Sequence, residues 1–148
     1  MAFQNITLLK RASDLLVGHT TNAFNFDDAN ITPAGEIPLG TIVFRAKGLS
    51  LEAPWAAVTK AADIVGTNEF AVVWGDGYAF AADFTPRAIK AKFFNAVVIK
   101  RGQAELKEYY IKQVHGTQLG ASYGIMKQLM ADQGLVVLDD ISAFNGTI

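Results

Sequence analysis

The chain has 148 residues, 51% of them hydrophobic and 18% charged, with a net charge of −1. These values fit one folded domain with a real core and exclude wholesale disorder. It has no cysteine, which excludes disulfides, thiolate zinc sites and cysteine nucleophiles.

No apolar run approaches the ~20 residues needed to cross a bilayer, so no membrane span is expected. Residues Met1 to Leu9 place no basic region ahead of their apolar side chains. That is not the layout of a signal peptide, and a cytoplasmic compartment is expected. A near-neutral chain offers nucleic acid no overall electrostatic attraction.

Residues 1–34 read as an extended N-terminal arm ahead of a single β-rich domain, 35–148. Leu8, Leu9, Ala12, Leu15 and Leu16 lie at helical spacing, and then the segment turns polar from Gly18 to Asn30. Its Asn, Asp, Thr and Gly residues compete with regular structure through local side-chain bonds. Phe24 and Phe26 alternate within it, as suits an extended strip that lays two rings on one surface. The arm docks either on its own domain or on a neighbour.

Two turn signals follow, Thr32-Pro33-Ala34-Gly35 and Ile37-Pro38-Leu39-Gly40. Thr41 to Ala46 is predicted as a strand, with Ile42 and Phe44 on one side and Val43 and Arg45 on the other. Between Ser50 and Val65 the pattern admits either a loose helical face or an extended chain. Phe70 to Trp74 has the continuous apolar character of a strand buried on both faces. Gly75-Asp76-Gly77 predicts a turn and Tyr78 to Phe84 a further strand. Pro86 to Ala91 predicts a helical turn with Pro86 at its first position. Asn95–Lys100 and Leu106–Val114 predict a hairpin, with a helix from Ala104 to Val114 as the competing reading. Leu119, Tyr123, Met126, Leu129 and Met130 form an apolar helical stripe, with Gly134 as its C-terminal cap. Leu135 to Leu138 is a final strand. The fold class expected is therefore α+β, mostly β: a small β-sandwich or barrel-like domain with an extended N-terminal arm and one C-terminal helix.

Chemistry-bearing constellations are scarce. Two histidines, His19 and His115, and no Gly-x-Ser-x-Gly motif make a poor case for a nucleophile with its base. Asp27/Asp28 and Asp139/Asp140 could offer oxygen ligands to a hard cation, but adjacent carboxylates are more often turn or cap formers. No Walker or dinucleotide pattern occurs. No catalytic residue, metal or cofactor is expected. One run is basic: Arg87, Lys90, Lys92, Lys100, Arg101, Lys107 and Lys112, against Glu105 and Glu108. With Phe93, Phe94, Tyr109 and Tyr110 interleaved, it has the raw material of a stacking platform. Lysines that blunt an edge strand give the same pattern.

A polar arm comes first, then Gly35-Glu36-Ile37-Pro38-Leu39-Gly40-Thr41-Ile42-Val43, then Asn68-Glu69-Phe70-Ala71-Val72-Val73-Trp74-Gly75. Asn95-Ala96-Val97-Val98-Ile99-Lys100-Arg101-Gly102 follows and leads to Leu106-Lys107-Glu108-Tyr109-Tyr110. This series resembles the head decoration, or cement, proteins of tailed bacteriophages, the lambda-type family in the broad sense. The segment 119–138 lies outside the resemblance, and the arm is not the small-residue-rich type of that family. The resemblance implies a non-enzymatic virion protein, made in the host cytoplasm, that binds the outside of the major capsid shell and stabilises it. It also implies a homo-oligomer, a trimer, with the major capsid protein as partner. Arm residues would add to a sheet edge. The expected interface comprises the anchors Phe3, Ile6, Phe24 and Phe26, together with Trp55, Arg87, Lys90, Lys92 and Arg101. The alternative is a small β-barrel module that binds nucleic acid or a ligand through the Arg87–Lys112 face.

Overall fold

The computed structural model describes residues 15, 26–32, 35–76, 87–89, 96–102 and 104–139. Its strands are β1 (Phe26–Ala29), β2 (Gly35–Ile37), β3 (Ile42–Ala46), β4 (Ala56–Ala57), β5 (Asn68–Asp76), β6 (Arg87–Ile89), β7 (Ala96–Ile99), β8 (Ala104–Lys107) and β9 (Leu135–Leu138). Its helices are α1 (Glu108–His115) and α2 (Ser122–Asp132), with a short 3-10 turn at Ala61–Asp63. The fold is α+β and mostly β.

Five strands form one antiparallel sheet in the order β1-β7-β5-β3-β4. Its two edges then meet. Ile31, just beyond β1, bridges Trp55, just before β4. The Thr32 N–H donates to the Trp55 carbonyl and the Trp55 N–H to the Asn30 carbonyl, both at 2.8 Å. The sheet therefore closes into a small barrel, which removes its two open edges.

Alternation along the strands divides the apolar residues between two cores. Ala29, Ile31, Val43, Trp55, Ala71, Val73 and Val98 fill the barrel interior. Ile42, Phe70, Val72 and Ile99 face outward and belong to a larger core with Leu106, Ile111, Met126, Met130 and Leu135. Phe70–Val73 is thus buried on both faces, as its continuous apolar run predicts. The outer core is covered by β8 and β9, which pair in parallel, and by the two helices between them. Leu15 is fully buried in this outer core, so the N-terminal segment docks on its own domain at this residue.

Several local expectations change. Gly75 and Asp76 continue β5, opposite Val97 and Ala96, instead of turning. A bulge at Trp74 takes up the extra residue. Arg87–Ile89 is extended and pairs with β2, where a helical turn is predicted. β7 and β8 belong to different sheets, so the hairpin is absent and the competing helical reading holds from Glu108 to His115. Trp55 to Ala57 is extended. Tyr78 to Phe84 lies outside the described residues.

The turn into β3 depends on Gly40. The Thr41 N–H donates to the Pro38 carbonyl at 3.2 Å, and Gly40 has φ +85°, the conformation a type II turn needs at its third position. A Cβ there would lie 3.1 Å from the backbone carbon and the Cβ of Tyr110 on α1. Gly40→Ala is expected to cost about 2–4 kcal/mol, from left-handed strain plus the clash. Urea unfolding at neutral pH checks this; a loss below half a kcal/mol would show that neither the left-handed strain nor the clash with α1 is felt.

Candidate functional site

One end of the barrel is closed by charge. Arg45 follows Val43 on the inward side of β3, and its guanidinium lies 4.2 Å above the centre of the Trp55 ring. Its Nε donates to Glu69 Oε1 at 2.5 Å, a partner supplied by register, since Arg45 and Glu69 face each other across β3 and β5. Its Nη1 donates to the carbonyls of Ser50, Leu51 and Ala53 at 3.3, 3.3 and 3.1 Å. Arg45 is 5% exposed. A guanidinium cannot shed its proton, so burial at this depth requires such partners.

The cluster extends across the sheet. Lys100 Nζ lies 3.8 Å from Glu69 Oε2 and 3.9 Å from Asp27 Oδ2, and 5.7 Å from the Trp55 ring centre. Arg101 directs Nη1 and Nη2 at Asp27 Oδ2, at 3.0 and 2.6 Å. Three cations and two carboxylates thus close the barrel over one indole.

A second set of polar contacts keys the helical layer to the barrel. His115, at the end of α1, is fully buried, and its Nε2 accepts the Ile42 N–H at 2.7 Å. Burial pushes its pKa down to about 4, so the ring is neutral and its proton sits on Nδ1. Gln133 Oε1 accepts the Phe70 N–H at 2.9 Å. Lys127 on α2 binds Glu108 at 3.1 Å and also Asp139, joining α1, α2 and the end of β9. Burial alone would lower the Lys127 pKa, but the bonds to Asp139 and Glu108 hold it above its usual value.

The residues expected at an interface have separate fates. Trp55 is 2% exposed and lines the barrel interior, so it presents no surface to a partner: its neighbours Asn30 and Thr32 hold it in the barrel seam. Arg101 is engaged with Asp27. The Phe26 ring packs 5.0 Å from that of Trp74, on the outer-core side. Arg87 lies in β6 opposite Ile37. Phe3, Ile6, Phe24, Lys90 and Lys92 lie outside the described residues, as do His19 and Asp140. Asp28 is exposed on β1. Among the described residues, no group of three or more His, Cys, Asp or Glu side chains could hold a metal ion. No described helix is long and apolar enough to cross a membrane.

Four side chains of the basic run of 87–112 lie among the described residues. Lys100 and Arg101 are ion-paired at the barrel end, Lys107 is exposed on β8 and Lys112 is exposed on α1. Glu69 is the residue that sequence reasoning passed over. The signal was available: Arg45 alternates with an inward Val43, and such an arginine demands a carboxylate in register. Comparison with protein-family models, curated proteins and solved structures finds no match to this chain.

Arg45→Met is expected to destabilise the protein by about 3 kcal/mol, because it strips three carbonyls of their donor and leaves Glu69 only its longer contact with Lys100. Arg45→Lys keeps the charge without the fork, so it should lose about half as much. Denaturant midpoints decide: equal losses for the two would assign the effect to the guanidinium fork alone, and no loss for Arg45→Lys would assign it to charge alone.

His115 predicts a sign for the acid response. The unfolded imidazole takes a proton near pH 6.5, whereas the folded one stays neutral down to about 4. The unfolded state therefore binds more protons within that window, and stability falls as pH drops through it. The full shift corresponds to about 3 kcal/mol. His115→Gln, whose Oε1 can still accept the Ile42 N–H, should flatten this part of the profile. Parallel profiles for the two proteins would assign the acid response to other groups.

Proposed function

We propose that this chain is a non-enzymatic structural protein that binds the outside of an assembled bacteriophage capsid and stabilises it. The observation that carries the reading is the closed barrel, in which Arg45, Glu69, Lys100, Arg101 and Asp27 engage one another and the loop backbone. Their chemistry is directed at holding a shape. His115 is directed the same way, since a fully buried ring whose Nε2 accepts a backbone N–H offers no base to a substrate. A rigid β-rich body of this kind acts through the surface it presents. The glycine-punctuated strands and the polar segment ahead of them supply the resemblance to capsid cement proteins that gives the surface a partner.

On this reading the segment ahead of β1 supplies anchors, Phe3, Ile6 and Phe24, to the shell, and three copies assemble about a symmetry axis. Binding that favours the assembled shell over free subunits stabilises it by mass action, with no reaction required. Lys100 and Arg101 are ion-paired with Glu69 and Asp27, which leaves these two less available to the nucleic-acid or ligand module.

The test is co-sedimentation with tailed-bacteriophage shells assembled from purified major capsid protein. The protein is expected to pellet with shells, to leave unassembled subunits in solution, and to raise the temperature at which shells rupture. Phe3→Ser/Ile6→Ser should weaken retention without moving the unfolding midpoint. Failure of the unaltered protein to pellet with shells, or equal binding to free subunits, would sink the proposal.

A further inference from the structure

We infer that the two loops at the Arg45 end of the barrel, residues 47–53 and 64–67, form a ready-made apolar knob that seats in an apolar socket on the capsid shell. The inference rests on the decoration reading and names the contact through which it would act.

Leu49, Leu51 and Val65 are 51, 76 and 42% exposed. The loops that carry them are tied together: the Lys47 N–H donates to the Thr67 carbonyl at 3.0 Å, and Lys47 Nζ to the Gly66 carbonyl at 2.7 Å. Each loop is also fixed from within. Arg45 holds the carbonyls of Ser50, Leu51 and Ala53 from the barrel interior, and the Ala53 N–H closes a turn onto Ser50 at 3.0 Å. In the other loop the Asn68 N–H donates to the Val65 carbonyl, and Asn68 Nδ2 to the Asp63 carbonyl, both at 3.0 Å. The Asp63 carboxylate in turn accepts the N–H groups of Thr59 and Lys60 at 3.0 and 3.1 Å. The backbone beneath the exposed leucines is therefore ordered before any partner arrives, so little ordering cost is left for binding. Lys47 and Glu52, in the same loop as the leucines, are also exposed, so the loop carries charges of both signs beside its apolar side chains.

The size of the knob selects its occupant. The exposed parts of the three side chains amount to roughly 300 Å², well short of the ~800 Å² that each partner contributes to a stable dimer. A second copy of this chain would be held too weakly by this end alone. A repeating shell differs, because each oligomer can engage several identical sockets and the arm adds a further contact, so weak sites sum to firm retention. Nucleic acid is a poor occupant for exposed apolar side chains in a loop that carries charges of both signs.

The experiment compares shell binding by the unaltered protein, by Leu49→Ser/Leu51→Ser, and by Val136→Ser, which alters a half-exposed residue on β9. The double variant is expected to bind shells roughly ten- to hundredfold more weakly, with an unchanged unfolding midpoint, and Val136→Ser to bind as the unaltered protein does. Leu51→Ser alone should shift binding in the same direction, and it serves if the double variant does not fold. Equal binding by the double variant overturns the knob and leaves the decoration reading intact. No shell binding by the unaltered protein overturns both. Self-association of the unaltered protein that the double substitution abolishes would make a second copy the occupant and overturn the assignment to the shell.

Discussion

Arg45 is the group on which the arrangement turns. Its strand position points it into the barrel, where an unpaired guanidinium would carry a desolvation cost of several kcal/mol. Four features answer that demand together: the Trp55 face, the Glu69 carboxylate, the loop carbonyls and the barrel seam that holds Trp55 in place. None is independent of the others. The seam places the indole, the indole and Glu69 place the guanidinium, and the guanidinium places the loop from Ser50 to Ala53. An interaction that begins as a burial problem thereby becomes the device that shapes an otherwise irregular segment.

The second organising constraint is the set of backbone donors that the sheet leaves over. β7 pairs with β5 only as far as Ile99, opposite Val72, and β4 pairs with β3 only as far as Val43. The Phe70 and Ile42 N–H groups lie beyond these ladders, in a region that the helical layer covers. A buried donor left without an acceptor costs more than an ordinary hydrogen bond gains. Gln133 and His115 provide the two acceptors, from the end of α2 and the end of α1. Apolar packing alone would let the helical layer slide over the barrel. These two bonds fix its register.

Much of this was legible in the residues, and the failures have physical causes. Ile42/Phe44 against Val43/Arg45, the doubly buried Phe70–Val73, the Met126/Met130 stripe and the Gly134 cap follow from periodicity, because burial on one face or two leaves a repeat. The pairing of β1 with β7, the Ile31–Trp55 seam and the two-stranded β2-β6 sheet are contacts between distant segments, which no local repeat records. Gly75-Asp76 looks like a turn because its residues suit one, yet pairing with Val97 and Ala96 overrides that preference. From Ala104 to His115 the chain changes period midway, alternating through Lys107 and helical afterwards, so a single template fits neither half. At the barrel end Arg45 was visible and its consequence was not drawn. Trp55, expected at an interface from the resemblance, is instead the floor of an ionic cluster, because the seam with Asn30 and Thr32 holds it inside.

The two polar systems differ in what can disturb them. The Arg45–Glu69 pair lies largely out of water, with side-chain exposures of 3% and 21%, so added salt has little access to it. Asp139, by contrast, is 80% exposed at its side chain, and its attraction for Lys127 is open to screening; the Glu108–Lys127 contact beneath it is more sheltered. Acid acts elsewhere again, through the neutral ring of His115 at the junction of barrel and helices. The pair that holds the loop from Ser50 to Ala53 is thus sheltered from salt, whereas the attachment of the helical layer carries the histidine through which acid acts.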